Sequence, residues 1–441
     1  MSMNNTDKAE RVKWFNEARF GMFIHWGLYA IPARGEWVRN AERMPHEEYL
    51  RYFNEFTAEG YNPREWAALA KKAGMKYAVL TAKHHDGFCL WDTQYTDFKS
   101  TNTPAKRDLV REYLEAFREF GIKVGLYYSV IDWRHPDYPH YGDRHHPLRD
   151  DPSQGNENRH FERYLEYMHS QIRELLTGYG KLDIMWFDFS YDDMAGEKWK
   201  AGSIIEMIRS LQPHLIIDNR LEGSSGKKNG SILSAEPSPA AGDFASPEQM
   251  IPPLGIRNVL GEAVPWESCI TLNNHWGYCS ADHHWKDPQM VVRMLVECVS
   301  KNGNLLLNVG PDAKGKIPRA SVEILESVGR WMADNGSSIY GCGISEFAKP
   351  EWGRFTQKGN VLYAHIFESQ AGGLCLPNMK GKIEKLRLLS DGSEIHLVNH
   401  WNLESYPEHS YFFLCPGTAD NYPLPDPIDT VVEITLTTLS T

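Results

Sequence analysis

Seven short apolar, β-rich runs alternate with helix-forming patterns between residues 20 and 336, and titratable side chains gather around the ends of those runs. These observations predict a (β/α)8-like barrel of the TIM type with one weak strand unidentified. Parallel strands need helical crossovers, and barrels of this kind build their sites at one rim. After Ile344 the pattern changes to short strand-like runs separated by Gly, Asn, Asp and Pro turns. The chain is too long for one core, so the change predicts a barrel over 1–344 and a small antiparallel β domain over 345–441.

FGMFIHW (20–26) is the first strand candidate, followed by a long connection (28–60) and a helix at NPREWAALAKKAG (62–74). YAVLTAK (77–83) runs into KHHDGFCLW (83–91), and AKRDLVREYLEAFREFG (105–121) spaces Leu109, Tyr113, Leu114 and Phe117 on one helical face. VGLYYSV (124–130) precedes a second long connection (131–157) and the helix HFERYLEYMHSQIRELLTGYG (160–180). DIMWFDF (183–189), the helix KWKAGSIIEMIRSLQ (198–212) and LIIDNR (215–220) follow, then a third long connection (221–265). WESCITL (266–272), the helix PQMVVRMLVECVSKNG (288–303), NLLLNVG (304–310) and the helix PRASVEILESVGRWMADNG (318–336) complete the barrel. Several helices end in glycine, as the position after a helix prefers. Connections this long inside a compact domain are usually functional. Beyond Ile344, VLYAHIF (361–367), IEKLRLL (383–389), EIHLV (394–398) and VVEITLT (431–437) are the strand candidates.

A formal net charge of −11 argues against nucleic acid or an anionic membrane surface as partner. No stretch approaches the ~20 apolar residues of a membrane span, and the polar start MSMNNTDKAERVKWF lacks the apolar core of a secretory signal. Seven scattered cysteines without a C-x-x-C pair fit reduced thiols, so a cytoplasmic protein is expected. Fourteen tryptophans and twenty-one tyrosines point either to an aromatic-rich core or to sugar, whose C–H faces stack on aromatic rings.

Titratable residues are expected at or just past the C-terminal ends of the runs: His25, His84, His85, Tyr127, Asp188, Arg220 and Glu267. His84 and His85 are consecutive, so on a strand they would face opposite ways, and no HxH or HExxH accompanies them. RHHPL (144–148) and DHHW (282–285) lie on loops. A metal site is therefore disfavoured, and imidazoles bonding the hydroxyls of a polar ligand are expected. Asp188 follows IMWF, where a carboxylate is costly unless it faces an open rim or caps a helix. It is a candidate nucleophile. A retaining glycosidase needs a second carboxyl about 5–5.5 Å away. Glu36, Glu236, Asp243, Glu248 and Glu267 are available, and spacing alone does not choose among them.

The ordered set FGMFIHWG, GEW, KHHDGFCLW, GLYYS, MWFDF, DNR, GDFASPEQ, WESC and WGY, followed by LLLNVGPDAKG (305–315), resembles the glycoside hydrolase family 29 α-L-fucosidases. The resemblance implies a (β/α)8-like barrel followed by a β-sandwich, and a retaining exo-acting double displacement with no metal or other cofactor. Asp188 corresponds to the nucleophile and Glu248 to the general acid/base, with Glu267 as its rival. His25, Glu36, Trp37, His84, His85, Tyr127, Trp186 and Arg220 correspond to the sugar-binding shell, with Asp86 supporting the histidine turn. The C6 methyl of fucose requires an apolar wall, for which Phe23, Trp37, Trp186 and Phe187 are candidates. The implied partner is a fucosylated glycan, with a homo-oligomer possible. The alternatives are a binding-only descendant, a metal-dependent hydrolase using the histidines, and an enzyme for L-galactosides.

Overall fold

The computed structural model describes residues 5–222, 233–237, 242–398, 405–414 and 421–437. All seven runs form strands: β1 (Phe20–Ile24), β2 (Tyr77–Lys83), β3 (Lys123–Ser129), β4 (Ile184–Asp188), β5 (Ile216–Ile217), β6 (Glu267–Thr271) and β7 (Asn304–Val309). They make one parallel sheet in the order β5-β4-β3-β2-β1-β7-β6. Between its edge strands lies Gly242–Glu248, touching both sides through the isolated parallel bridges Asp218–Phe244, Ala245–Trp266 and Glu248–Cys269. The fold is a curled seven-stranded sheet with this segment in the gap.

The helices are α1 (Asn5–Ala18), α2 (Val38–Ala41), α3 (His46–Glu55), α4 (Pro63–Lys72), α5 (Leu109–Glu119), α6 (Phe161–Gly178), α7 (Ala201–Leu211), α8 (Pro288–Val299) and α9 (Arg319–Asn335). Side-chain caps start three of them: Asn62 accepts from Arg64 N, Asp108 from Arg111 N and Asp287 from Met290 N. No helix among the described residues is long and apolar enough to cross a membrane.

Alternation sorts the strand residues. Met22, Ile24, Ala78, Leu80, Met185 and Phe187 pack with the helices, whereas Phe23, Tyr77, Val79, Tyr127, Ile184, Trp186, Cys269 and Leu306 form a separate core inside the curl. Burial on both faces is why these strands read as apolar runs. Phe187 is thereby excluded as a pocket wall. Val12, Phe15 and Ala18 of α1 join the inner core. Gly21 is required there, because a Cβ would lie 2.4 Å from the Tyr77 ring.

The C-terminal strands are β8 (Gly353–Lys358), β9 (Val361–Ile366), β10 (Leu374–Leu376), β11 (Ile383–Leu388), β12 (Glu394–Ile395), β13 (Ser410–Phe412) and β14 (Thr430–Leu436). They form a five-stranded sheet, β12-β11-β14-β9-β8, and the pair β10-β13; all pairings are antiparallel. Leu376 and Phe412 of the pair share one core with Leu362 and Ile434 of the larger sheet. Cys415 and much of 221–241 lie outside the described residues, where the other six cysteines are unpaired.

Candidate active site

Strand β2 stops at Lys83, so His84 and His85 lie in a turn, closed by Gly87 N donating to His84 O at 3.1 Å. Gly87 takes φ +81°, a conformation glycine adopts freely. The expectation of opposite faces fails for this reason: outside the strand the two rings sit side by side, centroids 4.0 Å apart. Asp86 braces the turn, accepting from Tyr49 Oη at 2.7 Å and Phe88 N at 3.1 Å, and burial pushes its carboxyl up to about 6.

His85 Nδ1 lies 2.7 Å from Ser129 Oγ, and His84 stacks on Tyr127 at 5.6 Å. His84 Nδ1 is buried and has no partner among the described residues. His25 Nδ1 lies 2.7 Å from Asn308 Oδ1, and its ring packs 5.1 Å from Trp276. Burial pushes all three imidazoles down, His25 to about 3, so they are neutral at physiological pH.

Asp188, the last residue of β4, points inward. Its Oδ2 accepts from Tyr127 Oη at 2.7 Å and its Oδ1 from Arg220 Nη1 at 2.8 Å. The same Nη1 donates to Glu248 Oε2 at 2.8 Å. Two carboxylate oxygens on one nitrogen can be no farther apart than twice that bond length. Arg220 is itself fixed: Nε donates to Ser246 Oγ and Nη2 to Ser246 O, both at 3.0 Å, and its guanidinium lies 4.4 Å over Trp186. The Asp188 side chain is 13% exposed and Glu248 35%, so Glu248 is the more open of the pair. Burial pushes the Asp188 carboxyl up, opposed by Arg220 and reinforced by Glu248.

Glu36 is buried and accepts from Gly277 N at 2.8 Å, while burial raises its carboxyl. Half-buried Trp37 packs 5.2 Å from His85 and 5.4 Å from Phe189. Trp186 stacks on Tyr127 and donates its Nε1 to Glu267 at 3.0 Å. The sequence-predicted shell therefore converges, with one displacement. Glu267 begins β6 and pairs in register with Asn304 at the N-terminal edge, whereas Asp188 ends β4 opposite Ser129. It is fully buried and accepts from Tyr77 Oη at 2.7 Å, so it is not at a strand's C-terminal end as expected. Glu236 is exposed, and Asp243 binds arginines of α1 and α7. Trp276 and Asn308 had no assigned role in the sequence reading, although WGY and LLLNVG carried them. Among the described residues no group of three or more His, Cys, Asp or Glu is placed to hold a metal ion.

A family model described as alpha-L-fucosidase matches residues 1–337. The chain is 27% identical to the alpha-L-fucosidase of Dictyostelium discoideum, covering 82% of this chain and 79% of that protein. It is 30% identical to the bovine (Bos taurus) tissue alpha-L-fucosidase, covering 79% and 72%. Alpha-L-fucosidase isoenzyme 1 from Paenibacillus thiaminolyticus has 57% identity and a TM-score of 0.93, over 98% of this chain and all of that one. A GH29 alpha-L-fucosidase from Bacteroides thetaiotaomicron, trapped as a covalent intermediate, aligns at 29% identity and a TM-score of 0.82 over 97% and 96% of the two chains. With a family model spanning the sheet, its helices and the carboxylates on Arg220, the chain belongs to the α-L-fucosidases, a family of glycoside hydrolases.

Proposed function

We propose that the protein is a retaining exo-α-L-fucosidase that releases terminal α-L-fucosyl residues from oligosaccharides or glycoconjugates. The observation that carries this reading is the pair of carboxylates, Asp188 and Glu248, on one guanidinium nitrogen. Two bonds of 2.8 Å to one nitrogen hold the bonded oxygens no farther apart than twice that length, a limit that admits the roughly 5–5.5 Å of retaining enzymes and is too short for inverting ones. The covalent intermediate trapped in the Bacteroides relative supports the same double displacement here.

Ionised Asp188 attacks the anomeric carbon while Glu248 gives its proton to the departing glycosidic oxygen. Formation of the fucosyl ester neutralises Asp188 and removes a negative charge from beside Glu248. Glu248, having given up its proton to the leaving oxygen, then takes one from the hydrolytic water. Neutral His25, His84 and His85 can both donate to and accept from sugar hydroxyls, and the unpartnered His84 Nδ1 is one such group. Phe23, Trp186 and Trp276 supply an apolar wall suited to the C6 methyl. Glu267, tied to Tyr77 and Trp186 at the opposite edge, suits a supporting role better than proton transfer.

Incubation with 2-fluoro-fucosyl fluoride followed by peptide mapping tests the proposal. The label is expected on Asp188; a label on another carboxylate, or none on protein that turns over aryl α-L-fucosides, overturns it. The bridges of Gly242–Glu248 support reading that segment as the eighth stave of a closed barrel. The shared core of the C-terminal sheets supports a β-sandwich from about residue 345. Among the described residues the six cysteines are unpaired, two of them half-buried, which supports a reducing, cytoplasmic setting.

A further inference from the structure

Glu248 stands on the segment between β5 and β6, not on a strand of the seven-stranded sheet. Phe244, Ser246 and Glu248 alternate inward along it: Phe244 joins the inner core, and both Ser246 and Glu248 bind Arg220. Ala245 packs instead with the helix side. This period of two makes the placement of Glu248 a question of register, because a slip of one residue turns each inward side chain outward.

Beyond Ala245 the segment bonds to β6 and the residues just before it: Ala245 N to Pro265 O at 2.9 Å, Glu267 N to Ala245 O at 3.0 Å and Cys269 N to Pro247 O at 3.0 Å. The firmest hold is at the start. Asp243, 1% exposed, accepts from Arg11 Nη2 of α1 at 2.8 Å, from Arg209 Nη2 of α7 at 2.6 Å and from Ile217 N of β5 at 2.9 Å. Its own N donates to Ile217 O at 2.6 Å. Gly242 admits the close approach, since a Cβ would lie 2.3 Å from Asp218 O. One carboxylate thus ties the segment to a strand and two helices, five residues upstream of Glu248.

Resting on the reading of Glu248 as acid/base, we infer that Asp243 is its positioning residue, a register pin that keeps residue 248 facing the departing oxygen. Asp243 touches no substrate, and its effect passes along the backbone of 243–248.

Full-length Asp243→Asn and Arg11→Met test the inference on aryl α-L-fucosides of graded leaving-group acidity and on a fucosyl disaccharide, with and without azide. Arg11→Met removes one arm and leaves Arg209 and Ile217 N on the carboxylate, so it guards against misfolding of the first variant. Misplacement of a proton donor costs on the order of 10²-fold, so disaccharide turnover by Asp243→Asn should fall by that factor. Substrates with good leaving groups should be spared, and azide should restore turnover with a retained product. Arg11→Met should show the same pattern more weakly. Equal losses for all leaving groups, or no response to azide, would overturn the inference. Glu248→Ala serves as the reference: if it lacks the leaving-group pattern, the reading of Glu248 fails. If it shows the pattern and the Asp243 and Arg11 variants do not, only the register pin fails.

Discussion

Replacing Tyr127 by Phe removes one O–H donor from Asp188, the proposed nucleophile, and little else. The ring remains stacked on Trp186, centroids 5.6 Å apart at 21°, and only the 2.7 Å bond to Asp188 Oδ2 is lost. A hydrogen bond to a charged group contributes about 1.5–3 kcal/mol. Each pH unit corresponds to about 1.36 kcal/mol, so the Asp188 carboxyl should move by about one to two units. The direction is upward. Burial already raises this carboxyl and the Tyr127 hydroxyl opposes that rise, so its loss raises it further. In the proposed mechanism Asp188 works ionised. The acid limb of kcat/KM should therefore shift to higher pH, with a loss of about 10–100-fold below the limb and recovery towards wild type above it. Initial rates with an aryl α-L-fucoside across the pH range measure this directly. A uniform loss at every pH, with the limb unmoved, would refute the claim that Tyr127 keeps Asp188 ionised.

Asp188→Ala should lose several orders of magnitude in turnover, and azide should rescue it with inverted product; rescue with retention would contradict the assignment. Burial pushes the Glu267 carboxyl from 4.5 up to about 7, which corresponds to about 3 kcal/mol. Because the folded value is raised, the stability from this group is present below about pH 4.5 and is lost as pH climbs through 7. Glu267→Gln should flatten that part of the pH–stability curve in urea titrations and leave the leaving-group dependence of kcat/KM unchanged; parallel stability curves would sink it. Gly87→Ala puts a Cβ 2.4 Å from Asp132 Oδ1 at φ +81°, displacing the His84–His85 turn. Inhibition by free L-fucose should weaken about tenfold, equivalent to about 1.4 kcal/mol, and an unchanged inhibition constant would count against the turn's role. Leu306→Ala empties a fully buried place in the inner core and should cost about 2–5 kcal/mol by chemical denaturation.

The parallel strands were legible because burial on both faces leaves unbroken apolar runs such as FGMFI and NLLLNV. α3 falls within the connection 28–60, although Tyr49, Leu50, Tyr52 and Phe53 recur at helical spacing. α1 has no counterpart among the helix candidates of the sequence, because so few of its side chains, Phe15 foremost, are apolar and inward-facing. The segment 243–248 carries no strand signal in the sequence: Pro247 interrupts a short run whose inward residues include a serine and a glutamate. Within the site, residue types and order single out Asp188, Arg220 and the histidines, whose side chains the structure brings together around Tyr127. The face of His85 and the end of the sheet at which Glu267 stands depend on where a strand starts or stops, the boundary local pattern fixes least well. β8 is polar in alternation although it pairs with its neighbour β9, and β10 and β13 are short and pair with each other across a long stretch of chain.

α1 has a consequence for traffic. Phe15 lies 4.7 Å from Phe244 and 5.6 Å from Tyr77, plugging the floor beneath Trp186 and Asp188. With that end stoppered by aromatic rings, the described residues leave the rim around Asp188 and Glu248 as the way in. Under the proposed double displacement, the departing alcohol and the incoming water would have to use that rim in turn. A floor made of hydrocarbon would thereby impose a queue on the proposed chemistry above it.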